Sequence, residues 1–152
     1  MRSLRNFAMS AMMLSFLAGC SITSEEPHRP VSTQIDKPIY LRGVFTWWDA
    51  EPQYQMKQVP GKPGVWMTQA QLVADGHPYE WKVGDKDWQC GTDFGYLSDS
   101  SPVQLNQPRV ADNCAEFNSF SFTPDQDGIY QFYLDVSGQN PQVYIRRASS
   151  AK

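Results

Sequence analysis

Trp47 and Trp48 stand side by side, and Trp88 sits between Asp87 and Gln89, a polar setting for a residue worth burying. Neighbours in an extended strand point to opposite faces. One of Trp47 and Trp48 is therefore expected to enter the core and the other to stay outside. Trp66 and Trp81 lie within apolar alternations and are expected in the core. With five tryptophans, seven tyrosines and eight phenylalanines, the chain carries more aromatic surface than a core of its size needs. Exposed indoles beside hydrogen-bonding side chains suit pyranose rings, whose apolar faces stack on an aromatic plane while their hydroxyls pair with Lys, Asp, Asn and Gln. A hot spot for a protein partner would draw on Trp47 and Trp48, with Tyr133 added.

Hydrolytic chemistry finds less support. There is no Gly-x-Ser-x-Gly elbow, no His-Glu-x-x-His and no phosphate loop. His77 lies beside Pro78 in a turn and reads as a solvated loop residue rather than a base. Asp85, Asp87, Asp93 and Asp99 follow one another along one segment. A glycosidase needs two carboxylates held across a cleft at a fixed separation, which a small sandwich without a second domain supports poorly. Their spacing does not match an EF-hand calcium loop either, so they read as acidic residues that solubilise a long loop. The expectation is a non-catalytic protein with no metal and no cofactor; a lipid-anchored glycosidase ranks last.

At the N-terminus, Arg2 and Arg5 precede an apolar run, Phe7 to Leu17, too short to span a bilayer. Leu17-Ala18-Gly19-Cys20 then resembles a bacterial lipoprotein signal, in which the cysteine is acylated (palmitate among its lipids) and becomes the first residue of the mature protein. An ordinary secretory signal containing a cysteine is the other reading. Ser21 after the cysteine is similar to the sorting pattern of outer-membrane lipoproteins, facing the periplasm or the cell surface. Without Arg2 and Arg5, eleven basic residues face sixteen acidic ones, and no basic run suggests nucleic acid. Cys90 and Cys114 remain, and in an oxidising compartment the pair is most simply a disulfide worth roughly 3 kcal/mol. A two-cysteine metal site is the rival, but His28 and His77 have no ligand spacing to either cysteine.

The elements that must position these residues are short. After the signal (1–19), residues 20–37 are polar and proline-punctuated and read as a lipidated tether. A single domain is expected over 38–148, with a tail at 149–152. β-type runs occur at Ile39 to Phe45, Gln53 to Val59, Val65 to Leu72, Tyr79 to Val83, Lys86 to Cys90, Phe117 to Phe122, Ile129 to Val136 and Gln142 to Arg147. Pro60-Gly61-Lys62-Pro63-Gly64 and Asp75-Gly76-His77-Pro78 are turns. Tyr130, Phe132, Leu134 and Val136 share one face, and Lys82 points away from the face of Trp81. Seven or eight such strands indicate an all-β, antiparallel β-sandwich. Gly91 to Asn113 is a long polar excursion whose lower end the Cys90–Cys114 bridge would hold.

Ile39-Tyr40-Leu41-Arg42-Gly43 followed by Trp47-Trp48 resembles the start of the glycogen- and starch-binding modules of the early-set immunoglobulin-like group. Such modules precede pullulanases and glycogen-branching enzymes and occur in the regulatory subunit of AMP-activated kinase. Tyr54-x-Met56 with Gly64-Val65-Trp66, Tyr79-Glu80-Trp81-Lys82-Val83 with Asp85 to Trp88, and Gly128-Ile129-Tyr130-Gln131-Phe132 extend the similarity over 38 to 147, with bacterial pullulanase N-terminal modules especially close. The resemblance implies binding of an α-glucan (starch, glycogen or a maltooligosaccharide), with two tryptophans stacking on glucose units and a lysine bonding their hydroxyls. By position these are Trp47 or Trp48, Trp88 and Lys82. The chain departs from the pattern in its Gly91–Asn113 segment, and it is expected to act without an attached catalytic domain. The alternative is an envelope accessory lipoprotein that uses the same sandwich to hold a protein partner in a secretion or surface assembly; Lys82→Ala is expected to weaken sugar binding but to disturb a hydrophobic protein interface little.

Overall fold

Short β-branched and aromatic runs punctuated by turn residues become nine strands in the computed structural model, which describes residues 34–149. They are β1 (Tyr40–Gly43), β2 (Lys57–Gln58), β3 (Val65–Leu72), β4 (Tyr79–Gly84), β5 (Asp93–Tyr96), β6 (Arg109–Asp112), β7 (Phe120–Phe122), β8 (Gly128–Asp135) and β9 (Gln142–Arg147). The signal, Cys20 and most of the expected tether lie outside the described residues. Within them, Ile35 already packs on the core, and Lys37 pairs with Asp85 at 3.2 Å.

The period-2 pattern decides which side chains meet. In β8, Tyr130, Phe132 and Leu134 are fully buried, with Val136 just beyond, while Ile129, Gln131, Tyr133 and Asp135 face outward. β3 pairs with β8 over its whole length, from Val65 opposite Asp135 to Leu72 opposite Gly128, and β9 covers the other edge of β8. From the facing sheet Trp81 brings its indole against Phe132, edge-on with centroids 5.0 Å apart, and against Phe120 at 4.9 Å. Leu41, Val83, Phe94, Val143 and Ile145 fill the rest without exposure. Buried aromatic pairs of this kind contribute about 0.5–1.5 kcal/mol beyond the area they bury.

The strands run in the order β1-β4-β5-β6-β9-β8-β3-β2, so the sandwich is one curled antiparallel sheet folded over its core. It also nearly closes, because the Met56 N–H donates to the Ile39 carbonyl at 2.9 Å and Tyr40 bridges Gln55. β4 is the pivot. One edge carries β1; the other is divided between β7, opposite Tyr79 to Trp81, and β5, opposite Val83 and Gly84.

Several expected boundaries shift. Lys86 to Cys90 is a turn, not a strand, because Asp85 bonds back onto its backbone. Gln53 to Val59 contains a 3-10 turn, Pro52–Tyr54, before the two residues of β2. The stretch after Cys90 is no mere excursion. It contributes β5 and β6, which join the two halves of the sheet through Gly95–Asp112 and Tyr96–Ala111 on one side and Arg109–Val143 on the other.

A second pairing runs through the same region. The Gly91 and Asp93 N–H groups donate to Asn113 O, Ala115 N–H to Asp93 O, and Tyr96 N–H to Asn118 O, laying 113–118 parallel to 91–96. Gly95 permits this approach: a Cβ there would lie 1.9 Å from Asn118 O and 2.8 Å from Ala115 Cβ. Gly76, by contrast, has nothing within 4 Å and only its φ of 82° to protect. Gly95→Ala is expected to cost about 3 kcal/mol, the upper end for overpacking. Gly76→Ala should cost about 1 kcal/mol. Urea denaturation of both variants checks the ranking, and equal losses would contradict it.

Candidate functional site

The end of β1 and the end of β4 each release a loop that carries a tryptophan. After Gly43 the chain enters a 3-10 turn, Val44–Thr46, where the Thr46 hydroxyl accepts from Gly43 N–H at 3.0 Å. Trp47 and Trp48 then take φ of 53° and 64°, both left-handed. That conformation is costly for side chains of this bulk and persists only where neighbours over-determine it. Trp48 N–H donates to Gly43 O and Asp49 N–H to Thr46 O, each at 3.0 Å. The expectation that one of the pair enters the core is thereby overturned: the backbone is not extended there, Trp47 is 87% exposed, and Trp48 is half-buried against the neighbouring loop.

That neighbour is the turn after β4. Buried Asp85 organises it, with Oδ1 accepting the N–H groups of Asp87 and Gln89 at 3.0 Å each and Oδ2 the Thr92 hydroxyl at 2.9 Å. Lys37 reaches the same carboxylate and Gln89 Oε1. Trp88, with φ of 55°, lays its ring over Gly84, where any Cβ would come within 2.7 Å of the indole. The centroids of Trp48 and Trp88 lie 6.4 Å apart with 52° between their planes.

Arg42 joins the two loops from below. Only 5% exposed, it donates from Nε to Trp48 O at 2.7 Å and from Nη1 to Asp85 O at 2.6 Å and Lys86 O at 3.2 Å. Its guanidinium carbon lies 3.6 Å from the Trp88 ring centroid. Burial lowers its pKa, opposed by Asp49 and Asp85.

The third wall is the segment after Cys114. Cys90 and Cys114 form the expected disulfide, closing a separation of 24 residues. Lys82 leaves β4 away from the core, as the alternation implies, yet it is only 4% exposed. Its ammonium pairs with Asp93 and donates to the carbonyls of Ala115 and of Glu116, the latter at 3.4 Å. Lys82 therefore does not project freely outward; it is the floor that pins this wall. Phe117, on the wall's crest, is 85% exposed. Trp48, Trp88, Phe117, Glu116, Lys82 and the disulfide enclose an open cleft of about 620 Å³.

No family model matches the chain, and no curated protein matches its sequence. Among solved structures it is similar to "Ligand induced structure of AmyP-SBD", a starch-binding domain, with 15% identity, a TM-score of 0.56 and 97% of each chain covered. What the two share is the fold. That fold places Trp48, Lys82, Trp88 and both disulfide cysteines at one cleft, whereas Trp47 is not among its lining residues.

Phe117 and Arg42 were missed from sequence. Phe117 carries the same signal as Trp88, a large aromatic within a polar run (Asn113-Cys114-Ala115-Glu116-Phe117-Asn118-Ser119); the strand expected from Phe117 begins only at Phe120. Arg42 gave none. The four aspartates do not act as a solvated group: Asp85 and Asp93 are buried, and Asp99 pairs with Arg109 at 3.0 Å on the surface. His77 is exposed beside Asp75. Among the described residues, no three His, Cys, Asp or Glu gather as a metal site.

The two buried carboxylates titrate in opposite senses. Burial raises Asp93, outweighing Lys82 and Arg42. Burial would raise Asp85 too, but the Gln89 N–H, the Thr92 hydroxyl, Lys37 and the Asp87 N–H together hold it below the ordinary carboxylate value. A carboxylate depressed on folding stabilises above its unfolded pKa and loses that contribution as pH falls through the folded one. Asp85→Asn should therefore be less stable than the parent at neutral pH, with the deficit closing below about pH 4. Denaturant unfolding across that range checks this; a deficit independent of pH would count against it.

Proposed function

We propose that the domain binds an α-glucan, whether starch, glycogen or a maltooligosaccharide, without altering it. Acylation of Cys20 would hold it at the outer membrane, facing the periplasm or the cell surface. The observation that carries the reading is the pair of indoles at the cleft, 6.4 Å apart and inclined at 52°. Consecutive rings of an α-1,4-linked chain turn relative to each other, so they call for inclined platforms, whereas a flat β-1,4 chain calls for coplanar ones. Phe117 supplies a third apolar surface and Glu116 a hydroxyl acceptor. The shared fold with a starch-binding domain supports the same reading. Of the two carboxylates lining the cleft, Asp93 is committed to Lys82, which leaves Glu116 without the partner that glycoside hydrolysis requires.

Each stacked platform contributes about 1–3 kcal/mol by analogy with base stacking. Two or three support micromolar to millimolar affinity, which several lipid-anchored copies on one polymer would raise by avidity. Titration with maltoheptaose and β-cyclodextrin, followed by tryptophan fluorescence and calorimetry, should give a saturable signal. Trp88→Ala should weaken it about tenfold or more with the fold intact. No saturation up to about 10 mM would overturn the sugar reading.

The second reading, an accessory that holds a protein partner in an envelope assembly, draws on Trp47, which is 87% exposed beside the cleft. Lys82→Ala no longer separates the two readings, because it unpins a wall of the cleft in either case. Trp47→Ala does: glucan affinity should hold, and capture of an envelope partner should fall. For the anchor, metabolic labelling with palmitate should mark the wild-type chain and not Cys20→Ser, and label retained in the variant would place the lipid elsewhere.

A further inference from the structure

Arg42 meets both tryptophan loops and touches no solvent-facing surface of the cleft. Its Nε donates to the Trp48 carbonyl, its Nη1 donates to the Asp85 and Lys86 carbonyls, and its guanidinium carbon lies over the Trp88 ring. Few other side chains could do all of this. A lysine carries one compact charge and could reach one loop or the other, whereas the guanidinium donates in fixed directions and stacks flat on an indole. Gly84 completes the seat by leaving room under the Trp88 ring.

We propose that Arg42 is the positioning residue that sets the spacing and tilt of Trp48 and Trp88, and through them the smallest ligand the cleft holds well. That ligand is an oligosaccharide of at least two rings whose successive faces are turned. This inference rests on the carbohydrate reading above. A single pyranose stacks on one indole plane at a time and is indifferent to the angle between the two, whereas a longer chain gains its second platform only when the angle is right. Arg42 thus acts on chain-length and shape selectivity rather than on contact with sugar.

The test uses Arg42→Lys and Arg42→Gln, with Gly84→Ala as a second lever that pushes the Trp88 ring from beneath while keeping the arginine side chain and its bonds to the loop carbonyls available. Three readouts are compared on the whole protein: the far-ultraviolet exciton couplet of the coupled indoles without ligand, calorimetric affinity for maltoheptaose, and NMR titration with methyl α-glucoside. Expected in all three variants is a weakened couplet, a maltoheptaose affinity lower by about tenfold or more, and a glucoside affinity within about twofold of wild type. If either Arg42 variant fails to fold, Gly84→Ala and the remaining variant decide. A parallel loss for both sugars would assign Arg42 a general structural role and overturn the proposal, as would a lost couplet with maltoheptaose affinity unchanged. A wild-type protein that shows the couplet but binds no glucan would overturn the carbohydrate reading itself, a separate outcome.

Discussion

A guanidinium removed from water loses several kcal/mol of hydration, and the protein must replace those contacts or move the charge outward. Arg42 is replaced on every side that matters, by backbone carbonyls from two loops and by the face of an indole. Because the acceptors are carbonyls rather than carboxylates, the bonds are directional without neutralising the charge, and the nearby aspartates oppose at a distance the lowering of its pKa by burial. The loops cannot separate without stranding that charge. This ties to one another two surface loops, ordinarily the most variable parts of a sandwich. It also explains how two successive tryptophans remain left-handed: the Trp48 carbonyl is held only if the chain turns there.

The same economy appears on the other side of the cleft. The segment between the half-cystines joins the two halves of the sheet, and its return path forms the wall that bears Phe117. β4 hands its outer edge from β7 to β5 between Trp81 and Val83, and Lys82 sits at that handover with its side chain turned beneath the wall. The cleft therefore lies where the sheet changes partners, and each of its walls rests on a strand end rather than on a free loop.

The regular half of this architecture was legible in the sequence. β3, β8 and β9 follow apolar alternation closely because each buries one face, whereas β4 alternates on its core face and has Lys82 buried on the other; Trp81 and the Cys90–Cys114 pair could be placed from local pattern and the expected compartment. What misled was the site. Trp47, Trp48 and Trp88 have positive φ, which no propensity scale favours for tryptophan, so continuing the strands through them was the natural local choice. Lys82 alternates correctly, but whether its head meets solvent depends on Asp93 in the next strand and on carbonyls of a segment more than thirty residues later, a tertiary fact. Arg42 looks like any strand arginine until the two loops are brought over it.

The ion pair of Lys37 with Asp85 gives the molecule a load path. A pull along the chain ahead of Gln34 would enter the domain at Ile35 and Lys37, and the ion pair would share it with the carboxylate that shapes the Trp88 turn as well as with β1. On the function proposed above, the grip on a glucan and the mooring of the domain would share one mechanical joint. Traction on the mooring and traction on a bound polymer would meet at Asp85, with the curled sheet behind it as the common footing.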